Sequence, residues 1–179
     1  NYNSLELTNC IPTVVNNYIV VGGLLDSKGI ALVSCWTGPT LIAHNSISNV
    51  GSSSTSYGLH LTGTNDSLTI KNNIFSCGSG GVPLYVQNPV STKDWDYNCY
   101  YTAGNTLAEY DGNVYSDLAS LGIAMGSDAN SLQEDPYYVS ETDLTVNNAL
   151  TKSALVLTGV STDIDGATRV ISSTMGAKE

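Results

Sequence analysis

Two groups of side chains in this sequence have functional chemistry. The first suits sugar recognition: His60 in LHLTGT, Tyr85 in LYVQNP, Glu6 in LELTNC and Trp36 in SCWTGP. An imidazole beside a phenol on a flat surface offers hydrogen bonds and aromatic area together, and a loop indole offers a platform. The second group is Lys71, His44 and Asp96. An amine, an imidazole and a carboxylate act as general acids and bases when they stand within hydrogen-bonding reach of a substrate. For both groups the competing reading is an ordinary solvated surface. The four cysteines, Cys10, Cys35, Cys77 and Cys99, contain no CxxC pair, which argues against a zinc ribbon. Cys10 and Cys35 end equivalent segments and suit a disulfide bridge. Cys99 reads as a buried thiol, and Cys77 has no evident partner.

A repeat must position these residues. LELTNC at 5–10, IALVSC at 30–35, LHLTGT at 59–64 and LYVQNP at 84–89 begin 25, 29 and 25 residues apart. A second pattern follows each: TVVNNYIVVGG, LIAHNSISNVG, LTIKNNIFSCG and KDWDYNCYYTAG. Two registers advancing together, with no helical periodicity between them, describe a parallel β-helix. Leu5, Ile30, Leu59 and Leu84 then form one inward column, and Leu7, Leu32, Leu61 and Val86 a second. In the following strands Val15, Ala43, Ile70 and Trp95 are expected to line up inward, as are Ile19, Ile47, Ile74 and Cys99. Asn17, Asn45 and Asn72 fall between these columns, where the chain must bend. Asn tolerates left-handed backbone, and its amide can bond to its counterpart one winding away. On this alignment Lys71 shares an outward stripe with Asn16, His44 and Asp96, and His60 shares one with Glu6, Ala31 and Tyr85. Trp95 is read as core. Tyr57, Tyr100 and Tyr101 add aromatic surface of no clear geometry.

The 179 residues carry 16 acidic and 6 basic side chains, a net charge of −10. Nucleic acids and anionic membrane surfaces need basic patches, so neither is an expected partner. No apolar run approaches 18 residues, so no membrane insertion is expected. The regular windings are assigned to residues 1–104. Residues 105–179 form a C-terminal helix and irregular strands that cap or extend the same solenoid. In YSDLASLGIAMG, Ser116 is the expected N-cap, Leu118 and Leu121 begin the apolar stripe, and Gly126 ends the helix.

The order DYNCYY, YSDLASL, GSDANSLQEDPYYV, DLTV and STDIDGATR resembles the C-terminal region of secreted bacterial right-handed parallel β-helix proteins of the pectate-lyase-like fold. The resemblance covers about 96–170 in motif and 5–104 in repeat pattern. It implies an all-β solenoid of about four to six turns with one short α-helix, located outside the cell or on its surface. It implies little about activity, because this fold hosts many functions. Its lyases use Ca²⁺ and an Arg or Lys base, which is the role Lys71 would take. The Arg-x-Lys of its galacturonan hydrolases is absent here, and so are adjacent aspartates.

The expectation is a non-catalytic extracellular module with a structural, adhesive or weak glycan-binding role and no cofactor. One alternative is the C-terminal part of a polysaccharide lyase or hydrolase, with Ca²⁺ as its cation. Another is a self-stacking fibre subunit. The solenoid begins at Leu5 with few residues to cap it, which invites end-to-end association with a second copy or with further upstream turns.

Overall fold

The computed structural model describes residues 2–23, 26–78, 80–147, 154–170 and 174–178. Its strands form three sheets. The first stacks β1 (Tyr2–Thr8), β4 (Ser27–Val33), β7 (Tyr57–Thr62), β10 (Val82–Val86) and β13 (Ala108–Tyr110) in parallel, and closes on an antiparallel β14 (Asn113–Tyr115). The second holds β2 (Thr13–Val15), β5 (Thr40–Ala43), β8 (Leu68–Lys71) and β11 (Lys93–Asp96). The third holds β3 (Tyr18–Val21), β6 (Ser46–Asn49), β9 (Ile74–Cys77) and β12 (Cys99–Thr102). Each winding contributes one strand to each sheet, so the chain is a β-solenoid of about four turns. The first sheet continues past Gly104 through β13.

Both columns expected in the first sheet are present. Leu5 pairs with Ile30, Ile30 with Leu59 and Leu59 with Leu84, while Leu7, Leu32, Leu61 and Val86 run alongside. From the second winding onward these side chains are essentially sealed from solvent. At roughly 25 cal/mol per Å² of apolar surface removed from water, they supply the main drive for stacking.

In the second and third sheets the register differs from the expected one by a residue. The inward row of the second sheet is Val14, Ile42, Ile70 and Trp95. Val15 and Ala43 belong instead to the row of Lys71 and Asp96. In the third sheet Ile19 and Ile47 continue as Phe75 and Tyr100, whose rings stack 5.7 Å apart. Ile74 and Cys99 therefore face outward. They pack with Ala154 and Met175 in a second, smaller core under the C-terminal segment. Side chains alternate between faces along a strand, so a one-residue slip exchanges inside for outside. The two isoleucines Ile47 and Ile74 match in type but occupy different rows.

The paired asparagines divide the work of one corner. Asn16, His44, Asn72 and Tyr97 all adopt left-handed backbone, with φ between 53° and 59°. The next residues, Asn17, Asn45, Asn73 and Asn98, point inward and form an amide ladder. Each side-chain NH₂ donates to the carbonyl oxygen of the next, at 2.8, 2.9 and 3.1 Å. Asn98 Nδ2 donates a hydrogen bond to Asp128 (3.2 Å), a buried carboxylate that also accepts from Tyr100 and Ser131 and ends the ladder. Every buried amide in the row is thereby paired, which the energetics of buried polar groups demand.

After the hairpin, α1 (Leu118–Met125) buries Leu121 and Met125 in the main core and leaves Ile123 outside. Its N-cap is Asp117, one residue later than the expected Ser116, and accepts from Ser120 N at 2.8 Å. Gly126 closes it in the left-handed conformation (φ 64°). The chain then returns along the third sheet. Leu132 bridges to Cys99, Tyr138 donates to Ile47 O, and Asn16, Ser46 and Asn72 bond to Thr162, Ala177 and Leu155. Among the described residues no helix is long and apolar enough to cross a membrane.

Candidate functional site

The outer face of the first sheet carries a compact aromatic group, two of whose members, His60 and Tyr85, the sequence pattern pointed to. His60 on β7 and Tyr85 on β10 are register partners, with ring centroids 4.7 Å apart and planes within 15° of parallel. Tyr57 joins them at 4.9 Å from each ring, tilted by 33° and 47°. Strict alternation would have sent Tyr57 inward with Leu59. A side chain on Gly58, however, would meet Pro83 O at 2.7 Å and the Phe75 side chain at 3.2 Å. Gly58 thus faces the core beside Leu59, the pleat turns over there, and Tyr57 emerges on the outer face. Only a residue without Cβ permits that approach.

Charged groups surround the three rings. Lys28 is the register partner of Tyr57 on one side, and Glu109 is the partner of Tyr85 on the other. Burial, and then the nearby Lys28 charge, lower the His60 pKa to about 4, so this imidazole is neutral at ordinary pH. Its Nδ1 is buried with no hydrogen-bond partner among the described residues. Burial first, and then the carboxylate of Glu109, push the Tyr57 phenol to about 12. Burial also raises Glu109 itself. Because His60 and Tyr85 stack on each other, part of each ring face is occupied. Tyr57 is only 7% exposed, so what the cluster offers outward belongs mainly to Tyr85, a phenol, and to His60, a neutral imidazole, a polar surface with apolar flanks.

Of the other residues proposed for glycan contact, Glu6 heads the same row. It lies two rungs from His60 across Ala31, about 10 Å at the usual strand spacing, and its carboxylate accepts from Asn3 Nδ2. Trp36 stands apart, on the corner after β4. It is 56% exposed, and no ring contact joins it to the cluster.

The proton-transfer candidates do not assemble. Lys71 and Asp96 are register partners, but Asn16 and His44 lie one residue further along, in the left-handed corner row. The Lys71 ammonium is bound to Asp94 at 2.7 Å. Asp96 accepts from the backbone and side chain of Asn130, both at 2.7 Å. His44 is fully buried and accepts from Asn72 Nδ2 at 2.9 Å. Burial, reinforced by the Arg169 charge, drives its pKa down to about 3. Each of the three has a structural partner, and none opens onto a shared cleft. The groove beside α1, about 520 Å³ and lined in part by Leu118, Ile123 and Asp128, contains none of them. Among the described residues no three His, Cys, Asp or Glu side chains converge as a metal centre requires.

Cys10 and Cys35 stand on stacked rungs with their sulfurs 3.8 Å apart, both as free thiols. Cys77 is buried, as expected Cys99 is too, and the two are out of step: Cys99 pairs with Ile74 and Cys77 with Thr102. Tyr100, read from the sequence as surface, is a core ring. No family model matches this chain, and no curated protein or solved structure compared with it does so either.

Proposed function

We propose that this chain is a non-catalytic β-helix module that binds glycans weakly through the outer face of its first sheet. The observation that carries this reading is the cluster of Tyr57, His60 and Tyr85. The half-buried rings of His60 and Tyr85, backed by the buried ring of Tyr57, present polar edges on a rigid, flat sheet, with a carboxylate and an ammonium beside them. Sugars offer many hydroxyls and small apolar patches, and such a mixed surface complements both. A rigid platform also loses little side-chain entropy on binding. The acidic composition and the resemblance of the C-terminal segments to secreted bacterial pectate-lyase-like proteins support an extracellular or cell-surface location.

The lyase or hydrolase alternative draws no support from the arrangement of Lys71, His44 and Asp96, because each is engaged elsewhere. The test is calorimetric titration with a panel of neutral and acidic oligosaccharides. Tyr85→Ala should weaken the best ligand by about tenfold, equivalent to ~1.4 kcal/mol. Undiminished affinity in Tyr85→Ala and His60→Ala, both folded, would refute the assignment.

A further inference from the structure

We propose that Cys10 and Cys35 form a reversible disulfide that staples the first winding of the solenoid to the second. Their sulfurs already lie 3.8 Å apart. The backbone brings them there by a shared device: Asn9 and Ser34, the residues before each cysteine, both take left-handed conformations (φ 52° and 56°). Asn9 N also bonds to Val33 O at 3.0 Å, which keeps the two corners in step. Parallel rungs about 4.8 Å apart place α-carbons within the span a disulfide bridges.

The two thiols are not equivalent. Cys35 is sealed, with its Sγ 3.4 Å from Leu7 O, whereas Cys10 is half-buried and open to reagents. That asymmetry gives an order of events. The Cys10 thiolate attacks one sulfur of a small-molecule disulfide such as oxidised glutathione. A mixed disulfide forms on Cys10 and one thiolate leaves. The Cys35 thiolate then attacks Cys10 Sγ and expels the second. The protein gives up two electrons and two protons, and the oxidant becomes two thiols. Burial and the adjacent Cys35 raise the Cys10 pKa, so alkaline solution favours the first step.

The bond would act on a winding less covered than its neighbour. Leu5 and Leu7 are only partly covered, while their counterparts Ile30 and Leu32 are fully buried. A covalent tie between Cys10 and Cys35 holds that first rung against its neighbour, and neither Cys77 nor Cys99 has a sulfur placed to compete.

The test treats the folded chain with oxidised glutathione at pH 8.5, counts thiols in denaturant, maps peptides and follows amide exchange. The expected result is loss of two of the four thiols, a Cys10–Cys35 peptide, and at least tenfold slower exchange in Tyr2–Thr8. A phosphine reductant should reverse all three. Cys10→Ser should lose no thiol pair and gain no protection. Four remaining thiols, a glutathione adduct persisting on Cys10, or a bridge to Cys77 or Cys99 would each overturn the proposal.

Discussion

Mild acid should loosen this solenoid through one buried histidine. His44 occupies the left-handed corner between β5 and β6, is fully buried, and accepts a hydrogen bond from Asn72. Protonation would turn that acceptor into a donor facing another donor, in a dry site beside the Arg169 charge. The folded pKa accordingly falls to about 3, against 6.5 for a solvated imidazole. Between these values the unfolded chain binds a proton that the folded chain refuses. The sign follows: the stability is fully present above pH 6.5 and is lost as pH falls toward 3. The slope approaches about 1.4 kcal/mol per pH unit, or some 2–3 kcal/mol between pH 7 and 4.5. Urea unfolding at a series of pH values measures it. The informative variant is His44→Asn, which gives this corner the residue found at Asn16 and Asn72 and removes the titrating group. It should lose that share of the slope, while His60→Gln should remove a smaller one, because His60 is partly exposed. Equal losses in wild type and His44→Asn would refute the reasoning.

Two further predictions test the frame and the rejected site. Asn73→Ala breaks the middle of the amide ladder: it strands the Asn45 backbone N, which donates to Asn73 Oδ1, and removes the Asn73 amide donor from Ile42 O and Asn98 Oδ1. With each orphaned buried group costing about 1–3 kcal/mol, unfolding by urea should show a loss of roughly 3–5 kcal/mol. Lys71→Ala removes an ion pair whose partner Asp94 is 64% exposed, so stability should change by less than about 1 kcal/mol and glycan affinity should be unchanged. If uronate polymers with Ca²⁺ instead yielded an unsaturated, ultraviolet-absorbing product, and Lys71→Ala abolished it, the non-catalytic reading would fail.

The first sheet was legible in the sequence because its inward positions are uniformly Leu, Ile and Val, and every winding repeats the same six-residue frame. The rows of the other two sheets were harder. Matching Ile47 to Ile74 favoured likeness of residue type over likeness of position, whereas the row continues through Phe75 and Tyr100. Volume at an inward site matters more than chemical identity. The same slip hid the division of labour within each asparagine pair, and it placed His44 beside Lys71 when it belongs to the corner. The row of Glu6, His60 and Tyr85 was readable. Tyr57 was not, since its outward turn depends on Gly58 meeting Pro83 and Phe75, a contact between windings that no local pattern records. The coverage of Ile74 and Cys99 by Leu132, Tyr138, Val146, Ala154 and Met175 likewise depends on long-range returns of the chain.

The most direct test of the glycan-binding account is a nuclear magnetic resonance titration of the isotopically labelled chain with the best-binding oligosaccharide. The account predicts shift changes centred on Tyr57, His60 and Tyr85 and fading across the first sheet toward Glu6 and Glu109. Changes centred on Trp36, on the Lys71 face or on the groove beside α1, with the three rings silent, would contradict it.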